Sequence, residues 1–265
     1  MPTIVASDGC RVTYDVSGNG EVLLLIPGLG GQAAFWSAIV PRLAENYRVV
    51  SFDHRGTGRS DRPNGKYTIA RIAEDAHQIL LETGATSATV IGHSTGGMIA
   101  QYLALDYPDL VCRLVISGSW EKPDPRFRMM FEARLGVLLE AGSQVYQRLT
   151  HAVGYPADYL DQHQAELNTV IEGAHAALSP VQVASARIEM LFTDYRSDEL
   201  ASIKAPTLII GATDDALIPF YHSQRLAAMI PGAKLTVLDG AHFFPKVHPD
   251  RFAKIIRQFL EYGYA

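Results

Sequence analysis

The sequence predicts an α/β fold: a doubly wound, mostly parallel sheet that carries a helical insertion. Three observations lead there. Short β-branched runs alternate with amphipathic stretches over the first 120 residues and again after residue 198. Most of those runs are almost continuously apolar, as strands buried on both faces are. Between residues 121 and 198 the alternation stops, and Leu, Met, Ala and Tyr recur at helical spacing with no β-branched run.

The runs at 22–26, 48–52, 88–91, 111–117, 207–210 and 234–238 are the expected strands, and 36–45, 69–83, 97–107, 221–230 and 251–262 the expected helices, several bounded by Pro or Gly. Residues 1–120 and 199–265 then form the α/β core. Residues 121–198, which open on the turn-rich Glu121-Lys-Pro-Asp-Pro125, form a helical cap over the carboxyl ends of the strands, where open α/β sheets bind ligands.

Composition narrows the function classes. At 265 residues and 48% hydrophobic, the chain is long enough for one large core. Its 23 basic and 28 acidic residues give a net charge of −5 with no long single-sign run, so no surface for a phosphate backbone is expected and nucleic acid is set aside as a partner. Cys10 and Cys112 both fall in apolar, strand-like stretches, which suggests buried thiols, a reducing compartment and a cytoplasmic location. No stretch approaches the roughly 18 apolar residues of a membrane span, and residues 1–8 lack the basic and apolar regions of a signal peptide. A soluble monomer or homodimer acting on a small molecule is the expectation.

The chemistry concentrates at strand ends. Gly92-His93-Ser94-Thr95-Gly96 has the pattern G-x-S-x-G between an expected strand and an expected helix, the context in which that motif exposes a serine on a strained turn. Small residues two before and two after the serine let strand and helix approach. A glycine-rich turn with a spare serine is the bland alternative. Ile26-Pro-Gly-Leu-Gly-Gly31 follows the first expected strand, and its glycines allow backbone N–H groups near a developing negative charge, with Leu29 and Thr95 as candidate donors. A plain βα turn fits the same residues.

Phe52-Asp-His-Arg-Gly-Thr-Gly-Arg-Ser60 is dense in Gly and charge but opens no helix, which sets a dinucleotide loop aside. Asp53 and Arg55 read as a structural brace and His54 as a turn histidine.

A serine at its free pKa is a poor nucleophile and needs an imidazole to take its proton and a carboxylate to orient that imidazole. His242 follows the last expected strand, and the doublet Asp214-Asp215 follows the one before it. Asp215, four residues before Pro219, is the preferred acid, with Asp214 left as a surface or capping residue. His248 suits a helix start, and His93 suits a role holding the turn. The nine histidines are scattered, with no H-E-x-x-H, no C-x-x-C and no Walker loop, so neither a metal nor a cofactor is expected.

Trp36, Trp120, Met130 and Phe243 are candidate pocket walls, with Met129 and Phe131 beside them, although aromatic and Met residues at helical spacing are more often core. Arg126, Arg128 and Arg134 fit either a substrate carboxylate or a solvated cap surface, and the solvated reading is preferred.

Taken together, Pro27-Gly-Leu-Gly-Gly31, Asp53 to Ser60, Gly92 to Gly97, Asp215-Ala-Leu-Ile-Pro219 and Gly240-Ala-His242 resemble the α/β-hydrolase superfamily along nearly the whole chain, in its order of Ser, then Asp, then His. Within it, Gly118-Ser-Trp120, the Arg-rich stretch 126–134 and Tyr155-Pro-Ala-Asp158 resemble the branch of the pyrimidine-utilisation aminoacrylate (carbamate) hydrolases and, more distantly, the 3-oxoadipate enol-lactonases. The resemblance implies the fold, the cap and triad chemistry through Ser94, His242 and an Asp; the expected function is a serine hydrolase that cleaves an ester, amide or carbamate-type acyl bond through an acyl-enzyme on Ser94. Serine at 94 disfavours dehalogenases and epoxide hydrolases, which place aspartate there. A carbon-carbon hydrolase or enol-lactonase remains an alternative, as does a slow-turnover receptor of the same fold.

Overall fold

A computed structural model of the chain describes residues 2–174, 179–193 and 195–263. Eight strands form one sheet: β1 (Thr3–Val5), β2 (Arg11–Ser17), β3 (Val22–Ile26), β4 (Arg48–Phe52), β5 (Ala88–His93), β6 (Val111–Ser117), β7 (Thr207–Ala212) and β8 (Lys234–Leu238). Their order across the sheet is β1-β2-β4-β3-β5-β6-β7-β8. From β4 to β8 every pairing is parallel, while β1 and β2 join antiparallel at one edge.

The parallel strands are those the apolar runs foretell, for the reason expected: β3, β5 and β7 are buried at every residue, so both faces need apolar side chains. β1 and β2 escape the pattern. β1 has three residues, and β2, Arg-Val-Thr-Tyr-Asp-Val-Ser, alternates polar with apolar residues at an edge that solvent reaches.

Side chains on successive residues of β3 divide the core in two. Val22, Leu24 and Ile26 face one hydrophobic cluster, which includes α2 (Ile69–Glu82) and α3 (Thr95–Asp106). Leu23 and Leu25 face a second, formed with α1 (Val40–Leu43) and the late helix Pro249–Tyr262. The single helix expected over 36–45 is instead a 3-10 turn, Ala33–Trp36, followed by the one-turn α1. Pro41 stands in the first turn of α1, where its missing N–H costs no hydrogen bond, but it could not sit inside a longer helix. Thr68 caps α2 by accepting from the Arg71 amide, 3.1 Å.

Between β6 and β7 the described residues form helices and no strand: α4 (Pro125–Gly154), α5 (Ala157–Gln162), α6 (Gln164–Glu172), α7 (Val181–Glu189) and two 3-10 turns. Asp124 caps α4, and at Gly142 (φ 81°, ψ 179°) the helical path breaks. This insertion touches the loops that follow β3 and β8, since Arg187 of α7 donates to the Leu29 carbonyl (2.9 Å) and the Phe243 amide donates to the Gly154 carbonyl (2.8 Å). After β7 come α8 (Phe220–Met229), β8, the short α9 (Phe244–Val247) and α10 (Pro249–Tyr262). Among the described residues no helix is long and apolar enough to cross a membrane.

Of the two cysteines expected to be buried, only Cys10 is. Cys10 is buried just before β2, and burial pushes its thiol up to about 11. Cys112 is exposed. The β5–β6 register passes from Ala88↔Val111 to Thr89↔Arg113, so Cys112 is the extra residue of a bulge with no register partner, and its Sγ lies 3.9 Å from Thr89 Oγ1.

Candidate active site

Ser94 sits between β5 and α3 at φ 55°, ψ −121°, a conformation that non-glycine residues rarely hold. The sequence makes room for it at two points. A Cβ at Gly92 would run into the Gly96 carbonyl, and a Cβ at Gly96 would run into the carbonyls of Ile26 and Pro27. Only glycine allows α3 to lie so close to its own strand and to the loop after β3. Neighbouring strands then fix the turn. The Ser94 amide donates to the Ser117 carbonyl (2.8 Å), and the Ser94 carbonyl accepts from the Gly97 amide and the Ser119 hydroxyl, both at 2.8 Å.

The loop after β8 carries His242. Gly240 (φ 110°) and Ala241 (φ 53°) both take left-handed backbone, and Asp214 Oδ2 accepts from their amides at 3.3 and 2.9 Å. Asp214 is exposed, as expected, but it is also the brace of the histidine loop. Asp215 points inward. Its Oδ1 accepts from the Leu217 and Ile218 amides (2.9 and 2.8 Å) and its Oδ2 lies 2.7 Å from His242 Nδ1. Because a carboxylate only accepts, Nδ1 carries the proton, and Nε2 is left to accept from the Ser94 hydroxyl 3.0 Å away. Ser94, Asp215 and His242 are all buried, at 5%, 6% and 3% exposure, which keeps bulk water off this line of groups.

The loop 27–31 borders the hydroxyl: a Cβ on Gly28 would stand 3.2 Å from Ser94 Cβ and 3.6 Å from Oγ. Among the described residues the amides of Leu29 and Thr95 have no hydrogen-bond acceptor. Thr95 opens α3, so its N–H is one of the donors that a helix N-terminus leaves unpaired.

His93 is buried beside the serine with Nδ1 3.1 Å from Ser117 Oγ, and its ring stacks on Phe35 with centroids 5.0 Å apart. Burial, helped by the neighbouring His242, holds its pKa well below the usual histidine value. His248 occupies the position just before α10, with no side-chain hydrogen bond to the helix start. In the loop after β4 the two bracing residues have separate partners. Asp53 accepts from the Ala33 amide (2.8 Å) and pairs with Arg59 (2.6 Å), whereas Arg55 is held by Asp75 and Asp8, both at 2.6 Å.

The expected pocket walls separate. Phe243 is beside the site, 5.5 Å from the His242 ring and 4.8 Å from Tyr155, ring to ring. Trp36 is no wall: it is fully buried against Phe252 in the cluster on the opposite face of the sheet, because the 3-10 turn replaces the helix that would have carried it outward. Trp120 packs on Phe127 (4.7 Å) in the core and is 1% exposed. Met130 is partly buried on that core, while Met129 is 70% exposed.

Arg126 and Arg128 donate to the Ala216 and Phe192 carbonyls. Arg134 is not solvated. It is buried between Phe131 and Tyr146 and donates to the Tyr146 and Thr150 hydroxyls, since the inner face of α4 packs against its own later turns beyond Gly142. Phe35 and Arg187 also reach the site region, and sequence reasoning passed over both. Phe35 adjoins the run of glycines, and Arg187 is a lone charge in the helical segment Val-Ala-Ser-Ala-Arg-Ile, where solvent is the usual partner.

A serine on a strained strand-to-helix turn, reached by a histidine from the last strand's loop, defines an α/β-hydrolase. The chain belongs to that family: residues 21–249 match the family described as alpha/beta hydrolase fold. It is an enzyme of the hydrolase class. A protein of Caulobacter vibrioides assigned by name as the carbamate hydrolase RutD is 38% identical over 267 residues, covering 98% of each chain. Among solved structures, a hydrolase from Pseudomonas aeruginosa PA01 has a TM-score of 0.88 at 26% identity, covering 98% of each chain. The enol-lactonase from Burkholderia xenovorans LB400, at 23% identity and a TM-score of 0.89 over 98% of this chain and 99% of its own, shares the fold.

Proposed function

We propose that the protein is a serine hydrolase that cleaves an ester, amide or carbamate-type acyl bond of a small molecule through an acyl-enzyme on Ser94. The observation that carries this reading is the continuous line from Asp215 Oδ2 through His242 to Ser94 Oγ, at 2.7 and 3.0 Å.

The steps follow from the donors and acceptors in place. The Ser94 proton passes to His242 Nε2 as Oγ attacks the acyl carbon, and the imidazolium that forms is stabilised by Asp215. The negative oxygen of the tetrahedral intermediate is held by the Leu29 and Thr95 amides, and losing one such donor costs about 3 kcal/mol of transition-state stabilisation. His242 returns the proton to the leaving group, which departs. Water then gives a proton to His242 and attacks the acyl carbon, and collapse releases the acid and restores the Ser94 hydroxyl.

The helical insertion, residues 121–198 in this reading, acts as the cap that closes over the strand ends, and Phe243 and Tyr155 supply apolar wall. The relative assigned as a carbamate hydrolase favours a small carbamate or related acyl substrate over a long-chain ester.

A fluorophosphonate probe, combined with a panel of carbamates, esters and lactones, tests the proposal. Wild type is expected to label and turn over, and Ser94→Ala to lose the label with kcat down about 10⁶-fold. Unchanged turnover in Ser94→Ala would overturn it.

A further inference from the structure

We propose that Arg187 is a positioning residue of this reaction, one that fixes the loop bearing the Leu29 amide. The inference rests on the serine-hydrolase reading above. It starts from an arginine that departs from the usual rule: at 2% exposure Arg187 is among the largest fully buried side chains, and among the described residues no carboxylate pairs with it. A buried cation without a carboxylate is costly and is retained where its charge or its fork of donors is needed.

The fork spans two loops. One terminal nitrogen donates to the Arg55 carbonyl (2.7 Å), after β4, and the other to the Leu29 carbonyl (2.9 Å), after β3. That second nitrogen also lies 3.2 Å from His54 Nδ1, which must therefore accept, leaving His54 neutral with its proton on Nε2. Burial and the adjacent guanidinium hold the His54 pKa well below the usual value, in keeping with that assignment. Arg187 itself is lowered by burial to about 10 and stays charged at neutral pH.

Glycine at 31 opens the way in. It takes φ 69°, and a Cβ there would stand 2.7 Å from the guanidinium and 2.8 Å from Thr57 Oγ1. The same loop is tied by the His54 amide and the Thr57 hydroxyl, both donating to the Gly31 carbonyl at 2.7 and 2.9 Å. Arg187 thus reaches from the insertion into the loop that supplies the Leu29 amide to the oxyanion. A neutral side chain such as Met, which is also shorter, brings none of these donors.

The test compares Arg187→Met and Arg187→Lys with wild type on a turned-over acyl substrate. It records kcat, KM, the unfolding midpoint, and the affinity of a trifluoromethyl ketone that adds to the serine as a tetrahedral mimic. The expected result for folded Arg187→Met is a loss of about 10- to 100-fold in kcat with KM nearly unchanged, since misplacing a donor costs less than deleting it. Affinity for the ketone should fall by the same factor, and Arg187→Lys should recover part of both.

Unchanged kcat in folded Arg187→Met, a loss confined to KM, or full ketone affinity beside reduced kcat would overturn the role. If Arg187→Met does not fold, Arg187→Lys decides. Reduced kcat and ketone affinity at an unchanged midpoint support the proposal, and wild-type values overturn it. Failure of the parent reading looks different: wild type would not label with fluorophosphonate and Ser94→Ala would turn over normally, which removes both claims.

Discussion

His242 lies 2.7 Å from Asp215 and His222 lies 2.8 Å from Glu121, two buried imidazole–carboxylate pairs of nearly equal geometry among the described residues. They part at the second ring nitrogen. His242 Nε2 meets the Ser94 hydroxyl, whereas His222 Nε2 has no hydrogen-bond partner among the described residues and stands 3.7 Å from Asp124 Oδ2. Glu121 is shared with Arg225 (3.2 Å), and Tyr221 donates to Asp124 (2.6 Å), so the second pair belongs to a polar cluster where the chain leaves β6 for the insertion. An oriented histidine is therefore not reactive by itself. Reactivity requires a hydroxyl held on the imidazole's free nitrogen and donors placed for the charge that develops.

Truncating each histidine gives the sharpest contrast. His242→Ala removes the base and is expected to lower kcat about 10⁶-fold, the scale seen when a triad acts as a unit. His222→Ala should leave kcat within about tenfold of wild type at temperatures where it is folded, while costing about 1–3 kcal/mol of stability by taking one of two partners, Arg225 being the other, from the buried Glu121 carboxylate. Steady-state kinetics beside urea unfolding measure both. A deep kcat loss in folded His222→Ala would erase the distinction.

The aspartate doublet refines it. Asp215→Asn keeps the shape but offers an amide that can hold the wrong tautomer of His242, for an expected loss of about 10⁴ in kcat. Asp214→Asn retains an oxygen for the Gly240 and Ala241 amides and should lose about tenfold or less, since removing the charge from such a bond weakens it by only ~1 kcal/mol. Equal losses in the two variants would mean that placing the histidine loop matters as much as orienting the ring.

The same comparison marks how far the sequence was legible. The elbow can be read because its requirements are steric and local: Gly92 and Gly96 are needed whatever else the chain does, and both flank the serine in sequence. His242 can be read because it follows a strand in the family order. What stayed hidden depends on contacts between distant segments. Arg187 looks like an ordinary helical charge until the insertion is laid on the loops after β3 and β4, 132 residues from its partner Arg55 and 158 from Leu29. Trp36 looks like a pocket wall until Pro41 shortens the helix and the ring turns to Phe252. β2 hides because a half-polar strand next to the sheet's edge has no apolar run.

Three other buried histidines carry no charge at all. Burial is the main cause that keeps His54 and His93 well below the ordinary value of 6.5 and lowers His151 to about 4; nearby Arg187, His242 and Lys246 act in the same direction. In the unfolded chain each titrates near 6.5. As pH falls below that value the unfolded state takes up protons that the native state refuses, so stability falls with pH, by at most about 1.4 kcal/mol per pH unit for each such group. The loss begins below the unfolded value and, for His151, ends as pH passes below about 4, where the native ring is protonated too. Urea midpoints at a series of pH values from neutral downward measure the slope, and His151→Gln should reduce it by one group's share. A midpoint that does not move over that range would show that these rings accept protons in the folded protein.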